Sequence, residues 1–109
     1  MAKTTNNFFK TEMLLLKILE TKERYGYEIT QILKELSNGN ISLAEGTLYP
    51  ILYKLVDQGL IEDKKVLIGK RKTRVYYSIT TKGKDYLVKL INEYYQMSDC
   101  INTILKWKG

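Results

Sequence analysis

The sequence lacks histidine and has one cysteine, one proline and one tryptophan among its 109 residues. Without histidine there is no histidine general base, no histidine-based catalytic triad and no histidine metal ligand. The single cysteine, Cys100, cannot form a disulfide within the chain, which weakly favours a reducing compartment. The longest apolar run near the start is Met13–Leu16, too short for a secretory signal or a membrane span. We therefore expect a cytoplasmic protein that does not enter the membrane.

Positive charge is concentrated in the second half of the chain. Residues 1–60 contain seven basic and seven acidic side chains, whereas residues 61–109 contain eleven and five, so the whole net charge of +6 lies there. A basic surface on a small domain suits a polyanion such as nucleic acid, although an ordinary basic protein has the same composition. The length predicts one domain, small enough to be helped by a partner subunit.

Residues 42–60 have the pattern of an amphipathic helix. Ser42 and Glu45 have the spacing of a capping box, which predicts that the helix begins at Ser42. Leucines and an isoleucine recur on one face at helical spacing, and Gly59 predicts the end of the helix. The opposite face carries Gly46, Pro50, Tyr53 and Asp57, with Thr47 and Lys54 on one side of it and Tyr49 on the other.

Pro50 lies inside this predicted helix. Proline there typically costs about 3 kcal/mol relative to alanine, because it lacks an N–H and crowds the carbonyl four residues earlier. That earlier residue is Gly46, which leaves the backbone room to adjust. The proline indicates either that the outward face has a function or that proline is tolerated near a helix start, and this residue alone does not separate the two.

A first helix is predicted from Phe8 or Phe9 to about Thr21. Its apolar residues, among them Met13, are too many for one narrow stripe. Apolar surface on more than one side indicates burial on more than one side. A partner subunit or a large internal core could supply the second surface.

A second helix is predicted from Tyr27 to about Ser37, after a charged connection at residues 22–24. Residues 38–40, Asn-Gly-Asn, stop it, because glycine and asparagine tolerate a left-handed backbone. A helix, a short turn and a second amphipathic helix form a helix-turn-helix arrangement. The predicted inner face of the second helix consists of Ile29, Ile32, Leu33 and Leu36.

Two β-strands are predicted over Leu60–Ile68 and Thr73–Ile79, joined by a hairpin tip at residues 69–72. Between Glu62 and Arg74 there are six basic and two acidic side chains. Because the hairpin directly follows the second helix of a helix-turn-helix arrangement, we expect it to contact a DNA backbone. The alternative is a solvated turn that protects a strand edge from aggregation. The expected phosphate contacts are Lys70, Arg71, Lys72 and Arg74.

A long last helix is predicted, capped by Thr80 or Thr81. Its apolar residues recur at three- and four-residue steps, close to heptad spacing. Together with Met13 on the over-apolar first helix, this pattern predicts a homodimer; the alternative is a helix that packs only within its own chain. The predicted interface residues on the last helix are Leu87, Leu90, Ile91, Tyr94, Met97, Ile101, Ile104 and Leu105.

Three blocks of sequence resemble the PadR family of bacterial transcriptional regulators. The first is EGTLYPILYKLVDQGLI, starting at Glu45, and the second is YGYEI, starting at Tyr25. The third is KRKTRVYYSIT, starting at Lys70 and followed by Lys82-Gly83. The string EGTLYP is fairly distinctive, and the three blocks together, in this order, are more specific than any one of them.

The resemblance implies a mainly α fold with a small β-hairpin wing. It places a winged helix-turn-helix domain at residues 1–80, in which residues 1–7 are expected to be a loose tail, and a dimerisation helix at residues 81–109. A helix of this kind enters the major groove of double-stranded DNA, where side chains read base edges. The candidate DNA contacts on and before the helix are Ser42, Thr47, Tyr49, Pro50, Tyr53 and Lys54.

The resemblance also implies a small-molecule effector, since relatives are commonly released from DNA by aromatic or lipophilic compounds. A flat aromatic residue of drug-binding relatives corresponds to Tyr95, which points to one side of the helix seam. Met13 is an adaptable side chain suited to lining the same space, and Asp99, one turn from Tyr95, could favour a cationic ligand. We therefore expect a planar aromatic effector near these three residues; the alternative is that Tyr95 is a packed interface aromatic.

Other classes of function have less support in the sequence. A protein-interaction module of the same fold, without specific DNA binding, is the main alternative, but it would lack the cations on the helix and the hairpin. The glutamates that could serve an enzyme as acid or base groups resemble solvated helix charges. With no metal-ligand spacing and no phosphate-binding glycine loop, we expect neither an enzyme, nor a cofactor, nor a metal site.

Overall fold

The computed structural model describes residues 9–109, which form four helices and a three-stranded antiparallel sheet. The expected loose tail at residues 1–7 and Phe8 lie outside the described residues. The described elements confirm the mainly α class with a β-hairpin and a long last helix. They are α1 (Thr11–Ile18), β1 (Arg24–Tyr25), α2 (Gly26–Leu36), α3 (Glu45–Asp57), β2 (Ile61–Leu67), β3 (Thr73–Ile79) and α4 (Thr81–Leu105).

The core lies where α1, α2 and α3 meet one face of the sheet and the first turns of α4. Its largest side chains are fully buried, and burial of each such leucine or isoleucine stabilises the fold by about 1.5–3 kcal/mol. The side-chain hydrogen bond from the Tyr86 hydroxyl to Glu12 Oε1, 2.7 Å, adds a polar link between α4 and α1. The fully buried side chains are Leu15, Leu16, Leu19, Ile29, Leu48, Leu52, Leu55, Ile61 and Leu87.

Both early helices differ in part from the sequence prediction. Helix α1 ends at Ile18 instead of near residue 21, and Arg24 Nε donates to the carbonyl oxygen of Ile18 at 3.2 Å. Helix α2 ends at Leu36, whose side chain is 79% exposed instead of lying on the inner face. The chain reverses immediately afterwards through Asn38, at a φ of 54°, and within residues 9–109 the Leu36 side chain is left uncovered.

The predicted start of α3 at Ser42 is wrong. The helix begins at Glu45, Ala44 is its N-cap, and no side chain caps it. Ile41 and Leu43 pack against the core at alternate positions, and the Ile41 N–H bonds to Ser37 Oγ at 2.8 Å. These contacts favour an extended segment before the helix, since alternate side chains of an extended chain face the same side.

Strand β1 was not predicted, because two residues are too short to show an alternating pattern. It pairs antiparallel with β3, with Arg24 opposite Tyr77 and Tyr25 opposite Tyr76. The sheet order is β1-β3-β2. Arg24, the last residue of the predicted charged connection, therefore begins an additional strand of the sheet.

The predicted hairpin is confirmed. Strands β2 and β3 pair from Ile61 opposite Ile79 to Leu67 opposite Thr73. The tip is closed by a hydrogen bond from the Ile68 N–H to the Lys72 carbonyl, 2.8 Å, and Gly69 provides the required positive φ of 127°. We call β2, β3 and this tip the wing. Ile61 and Tyr77, toward the base of the wing, are buried in the core, whereas β2 beyond Ile61 is mostly exposed.

The start of α4 is joined to the turn that follows α3. The Thr80 hydroxyl accepts from the Gly83 N–H at 3.0 Å, as predicted for a cap, and donates to the Gly59 carbonyl at 2.8 Å. Lys82 Nζ donates to the Gln58 carbonyl at 2.9 Å, beside the C-terminus of α3. Among residues 9–109, no helix is both long and apolar enough to cross a membrane.

Candidate nucleic-acid interface

Helix α3 divides into a buried face and an exposed face, as its sequence predicts. Leu48, Leu52 and Leu55 are fully buried. The Tyr53 side chain is 62% exposed, so its ring and hydroxyl are available to a partner. The exposed residues of α3 are Glu45, Gly46, Thr47, Pro50, Tyr53, Lys54 and Asp57; Ser42 is also exposed but precedes the helix.

Tyr49 is only half-buried and differs from Tyr53 in its surroundings. Its hydroxyl end lies against the backbone of Gly26, so closely that a β-carbon there would come within 2.8 Å of Tyr49 Cζ and nearer still to the hydroxyl oxygen. Burial, with a smaller contribution from Glu45, raises the pKa of the Tyr49 hydroxyl above its ordinary value. The ring centroids of Tyr49 and Tyr53 are 6.0 Å apart. Tyr49 therefore packs α3 on α2, and only part of its side chain remains available to DNA.

The wing tip carries an uninterrupted run of cations. Lys70, Arg71 and Lys72 are all exposed. Tyr77, on the core face of β3, is buried, and this burial raises its pKa to about 12. The tip is therefore a concentrated positive charge at the end of a paired hairpin.

Arg74 differs from the tip cations because its side chain is engaged within the fold. It is half-buried, and its guanidinium carbon lies 3.9 Å from the centroid of the Tyr25 ring. Hydrogen bonding to Tyr76 is the main cause that raises the pKa of Arg74 above its ordinary value. The structure thus groups Arg74 with the sheet aromatics instead of with Lys70, Arg71 and Lys72.

Two further exposed lysines on β2 were not singled out from the sequence. Lys64, on the face away from the core, forms an ion pair with Glu23 at 3.5 Å. Lys65 lies opposite Val75, on the face that packs against the core nearer the base of the wing. The sequence could have distinguished these two lysines, because successive side chains of a strand point to opposite faces of the sheet.

The predicted dimer residues fall into two groups along α4. Leu87 and Leu90 are buried in the chain's own core, as is Met13 of α1, so these three leave little surface for a partner. Farther along, the side chains of Met97, Ile104 and Leu105 are 50–75% exposed. Ile91, Tyr94 and Ile101 are half-buried.

A groove of about 720 Å³ lies between α1 and α4, and it brings together two of the three predicted effector residues. Met13 and Tyr95 both line it. Asp99 does not, and its backbone carbonyl accepts a hydrogen bond from Thr103 Oγ1 at 3.0 Å. The other lining residues are Phe9, Leu14, Lys17, Ile41, Ile91 and Tyr94, so the charged side chain at this groove is a lysine.

Comparison with known proteins agrees with this geometry. The model of the transcriptional regulator PadR-like family matches residues 15–89, which include α3 and the whole wing. An uncharacterized protein of Lysinibacillus sphaericus is 30% identical over 95 residues, 87% of either chain. The negative transcriptional regulator PadR of Bacillus subtilis is 33% identical over 73 residues, 67% of this chain and 40% of that protein. The chain thus spans less than half the length of that relative.

Solved structures show the same fold. A transcriptional regulator from Clostridium thermocellum has a TM-score of 0.80 at 28% identity, with 88% of this chain and 93% of that chain covered. Bacillus subtilis PadR in complex with operator DNA has a TM-score of 0.69 at 30% identity, covering 73% of this chain and 45% of that chain. With more than half of its residues matched by the family model, the chain belongs to the PadR-like family of transcriptional regulators, which are DNA-binding winged-helix proteins and not enzymes.

Proposed function

We propose that this protein is a repressor that binds an inverted-repeat operator as a homodimer and is released by a small planar aromatic effector. The observation that carries the proposal is the exposed face of α3 together with the exposed cations at the wing tip. The Bacillus subtilis relative bound to operator DNA supports the same use of this fold. Double-stranded DNA as the partner also agrees with the cytoplasmic location expected from the sequence.

In this proposal α3 lies in the major groove and the wing contacts the flanking backbone. Tyr53 and Lys54 are exposed side chains that can reach base edges or nearby phosphates, with Thr47 beside them. Pro50 lacks an N–H and allows close approach of the helix to the groove wall. Because α3 has one basic residue, Lys54, much of the affinity comes from Lys70, Arg71 and Lys72 through phosphate neutralisation.

The homodimer is proposed to form through the second half of α4. Met97, Ile104 and Leu105 are large exposed apolar side chains that continue the helical spacing of the buried Leu87 and Leu90. Ile101 lies between them on the same line. A two-fold dimer would place the two α3 helices about 34 Å apart, one turn of duplex, which is the reason for expecting an inverted repeat.

The effector is proposed to bind the groove between α1 and α4. Its apolar lining, with Met13 and Tyr95, suits a flat aromatic compound. The preference for a cationic effector expected from Asp99 has no support at this groove, where the charged side chain is Lys17. A ligand that moves α4 relative to α1 would favour a dimer whose α3 helices have the wrong spacing for DNA.

The function as a whole is tested by selecting DNA from a random pool and from the promoter region of the protein's own gene. A repressor of the proposed kind enriches an inverted repeat and shifts it in a gel at moderate salt. Binding of equal strength to every duplex, or none, would instead favour the protein-interaction module. Release of the enriched duplex by a planar aromatic compound then tests the effector part separately.

A further inference from the structure

Arg74, near the tip end of β3, contacts two aromatic residues of the sheet, Tyr25 and Tyr76. Its guanidinium carbon lies 3.9 Å from the Tyr25 ring centroid. The Tyr76 ring stands edge-on to Tyr25, at a centroid distance of 5.5 Å and an interplanar angle of 71°. The three side chains share the face of the sheet that points away from the core, since Val75 and Tyr77 between and beside them pack inward.

Tyr25 connects this group to the helix-turn-helix. It pairs with Tyr76 in the sheet and immediately precedes α2. Its N–H donates to Glu28 Oε1 at 3.2 Å, in the first turn of that helix. The next residue, Gly26, lies against the hydroxyl end of the Tyr49 side chain from α3. A continuous series of contacts therefore runs from Arg74 through Tyr25 and Gly26 to Tyr49.

We propose that Arg74 is a positioning residue whose stacking on Tyr25 fixes the direction of the wing relative to α3. In this role it does not bind DNA itself, in contrast to its assignment from the sequence. It holds the hairpin so that Lys70, Arg71 and Lys72 reach phosphates beside the groove that α3 occupies. The inference rests on the proposed DNA binding. A planar guanidinium suits this position because it stacks on an aromatic face in a way that a lysine ammonium does not.

The first test replaces each partner of the stacked pair. Arg74→Lys keeps the positive charge and loses the planar contact, and Tyr25→Leu removes the aromatic face while leaving Arg74 in place. A cation–π contact of this kind, at a partly exposed site, corresponds to a roughly two- to fivefold change in an equilibrium. Because affinity falls with the fraction of correctly oriented wing, each variant should bind the selected duplex about two- to fivefold more weakly. The double variant should lose no more than either single one.

The second test uses a background in which the tip is neutral, Lys70→Gln, Arg71→Gln and Lys72→Gln together. If Arg74 acts only through the tip, Arg74→Lys causes no further loss of affinity in this background. A direct phosphate contact predicts a different pattern: Arg74→Lys is nearly silent with the wild-type tip as well, and Arg74→Gln weakens binding equally in both backgrounds. In that case Arg74→Gln also makes the slope of log K against log salt shallower by about one. Either of these results would overturn the proposal.

A measurement without DNA separates this inference from the proposed function. Residual dipolar couplings of the amides in β2, β3, α2 and α3 should fit one common alignment in the wild type. In Arg74→Lys the hairpin amides should depart from it, while the melting temperature changes little. Unchanged couplings would show that strand pairing alone orients the wing, and would overturn the proposal even if DNA binding is confirmed. A shifted hairpin in a protein that binds no DNA would overturn the function and leave the positioning role of Arg74 established.

Discussion

The backbone of Gly83, in the first turn of α4, lies directly against the carbonyl oxygen of Leu60, just before β2. A β-carbon at Gly83 would meet that oxygen and also come within 2.8 Å of Ile79 Cγ1. Hydrogen bonds from Thr80 and Lys82 to carbonyl oxygens of the turn after α3 join the same two segments. The close approach therefore joins α4, the wing and the end of α3 at one point.

Gly83→Ala should destabilise the fold by about 1–3 kcal/mol, the usual cost of overpacking a rigid contact. The added methyl group meets backbone, which cannot move aside as a flexible side chain can. Gly46→Ala in α3 is a matched control, since a β-carbon added there would face open space among the described residues and alanine favours helix. Chemical unfolding of the two variants should give changes of opposite sign, and equal stability of Gly83→Ala and wild type would contradict the close contact.

Neutralising Lys70, Arg71 and Lys72 to glutamine should weaken binding to the selected operator and to random DNA alike. The slope of log affinity against log salt should become shallower by roughly one unit for each phosphate contact removed. A variant with the exposed Lys84, Lys89 and Lys108 changed to glutamine has the same net charge and serves as the control. Fluorescence anisotropy at several salt concentrations measures both. Normal operator affinity of the wing variant at moderate salt would disprove the wing contact.

Tyr53→Ala should reduce affinity for the operator more than affinity for random DNA. Its exposed ring can contact base edges or methyl groups, an interaction that random sequence does not reproduce. Tyr95→Ala is a suitable control, because Tyr95 is 60% exposed, close to the 62% of Tyr53, and lies on α4. The measured quantity is the ratio of the two affinities. A ratio that falls equally in both variants would remove Tyr53 from the set of base-reading residues.

Ile101→Asp should convert the proposed dimer into monomers or prevent folding. A carboxylate placed in an apolar contact loses its hydration without gaining a partner. Asn92→Asp introduces the same charge at an exposed position of α4 and should remain dimeric. Light scattering and circular dichroism distinguish dissociation from unfolding. A wild type that is a stable monomer at micromolar concentration would rule out the dimer.

Tyr95→Ala should weaken the binding of planar aromatic dyes to the groove between α1 and α4. The ring lines the groove with Met13 and offers a flat surface for stacking. Titrations would follow dye and tyrosine fluorescence, with Trp107 as a second reporter at the exposed end of the chain. Val88→Ala changes another exposed apolar side chain of α4 that does not line the groove and should bind normally. Equal dye affinity in wild type and Tyr95→Ala would exclude Tyr95 from the site.

The parts of the fold that follow from local pattern were predicted well. The spacing of Leu48, Leu52 and Leu55 determines the buried face of α3 by itself, and the hairpin follows from β-favouring residues around Gly69. The start of α3 could not be obtained this way. The capping pattern at Ser42 favours an early helix start, whereas the packing of Ile41 and Leu43 against the core favours an extended segment there. The packing determines the start of α3, and the core that it depends on cannot be seen in the local sequence.

Tertiary contacts also explain what the sequence could not assign in the candidate site. The apolar period of α4 is the same where Leu87 packs inside the chain and where Leu105 is exposed, so periodicity alone does not reveal the partner. Arg74 follows the tip cations closely in sequence, but its ring contact depends on Tyr25, almost fifty positions away. Asp99 is one helical turn from Tyr95 and still lies outside the groove that Tyr95 lines.

The second half of α4 has the mechanics of a lever. The residues of α4 that are buried in the chain's own core all precede Ile91, the last being Leu90. From Leu90 to Leu105 the helix extends about 22 Å, at about 1.5 Å per residue. A tilt of about 10° at the buried end therefore moves the far end by about 4 Å over this length. In a homodimer whose subunits are joined near the far ends of α4, a tilt of α4 against its own domain also moves the two domains relative to each other. A small compound wedged beside Tyr95 would then change the separation of two distant α3 helices by more than its own displacement of the helix.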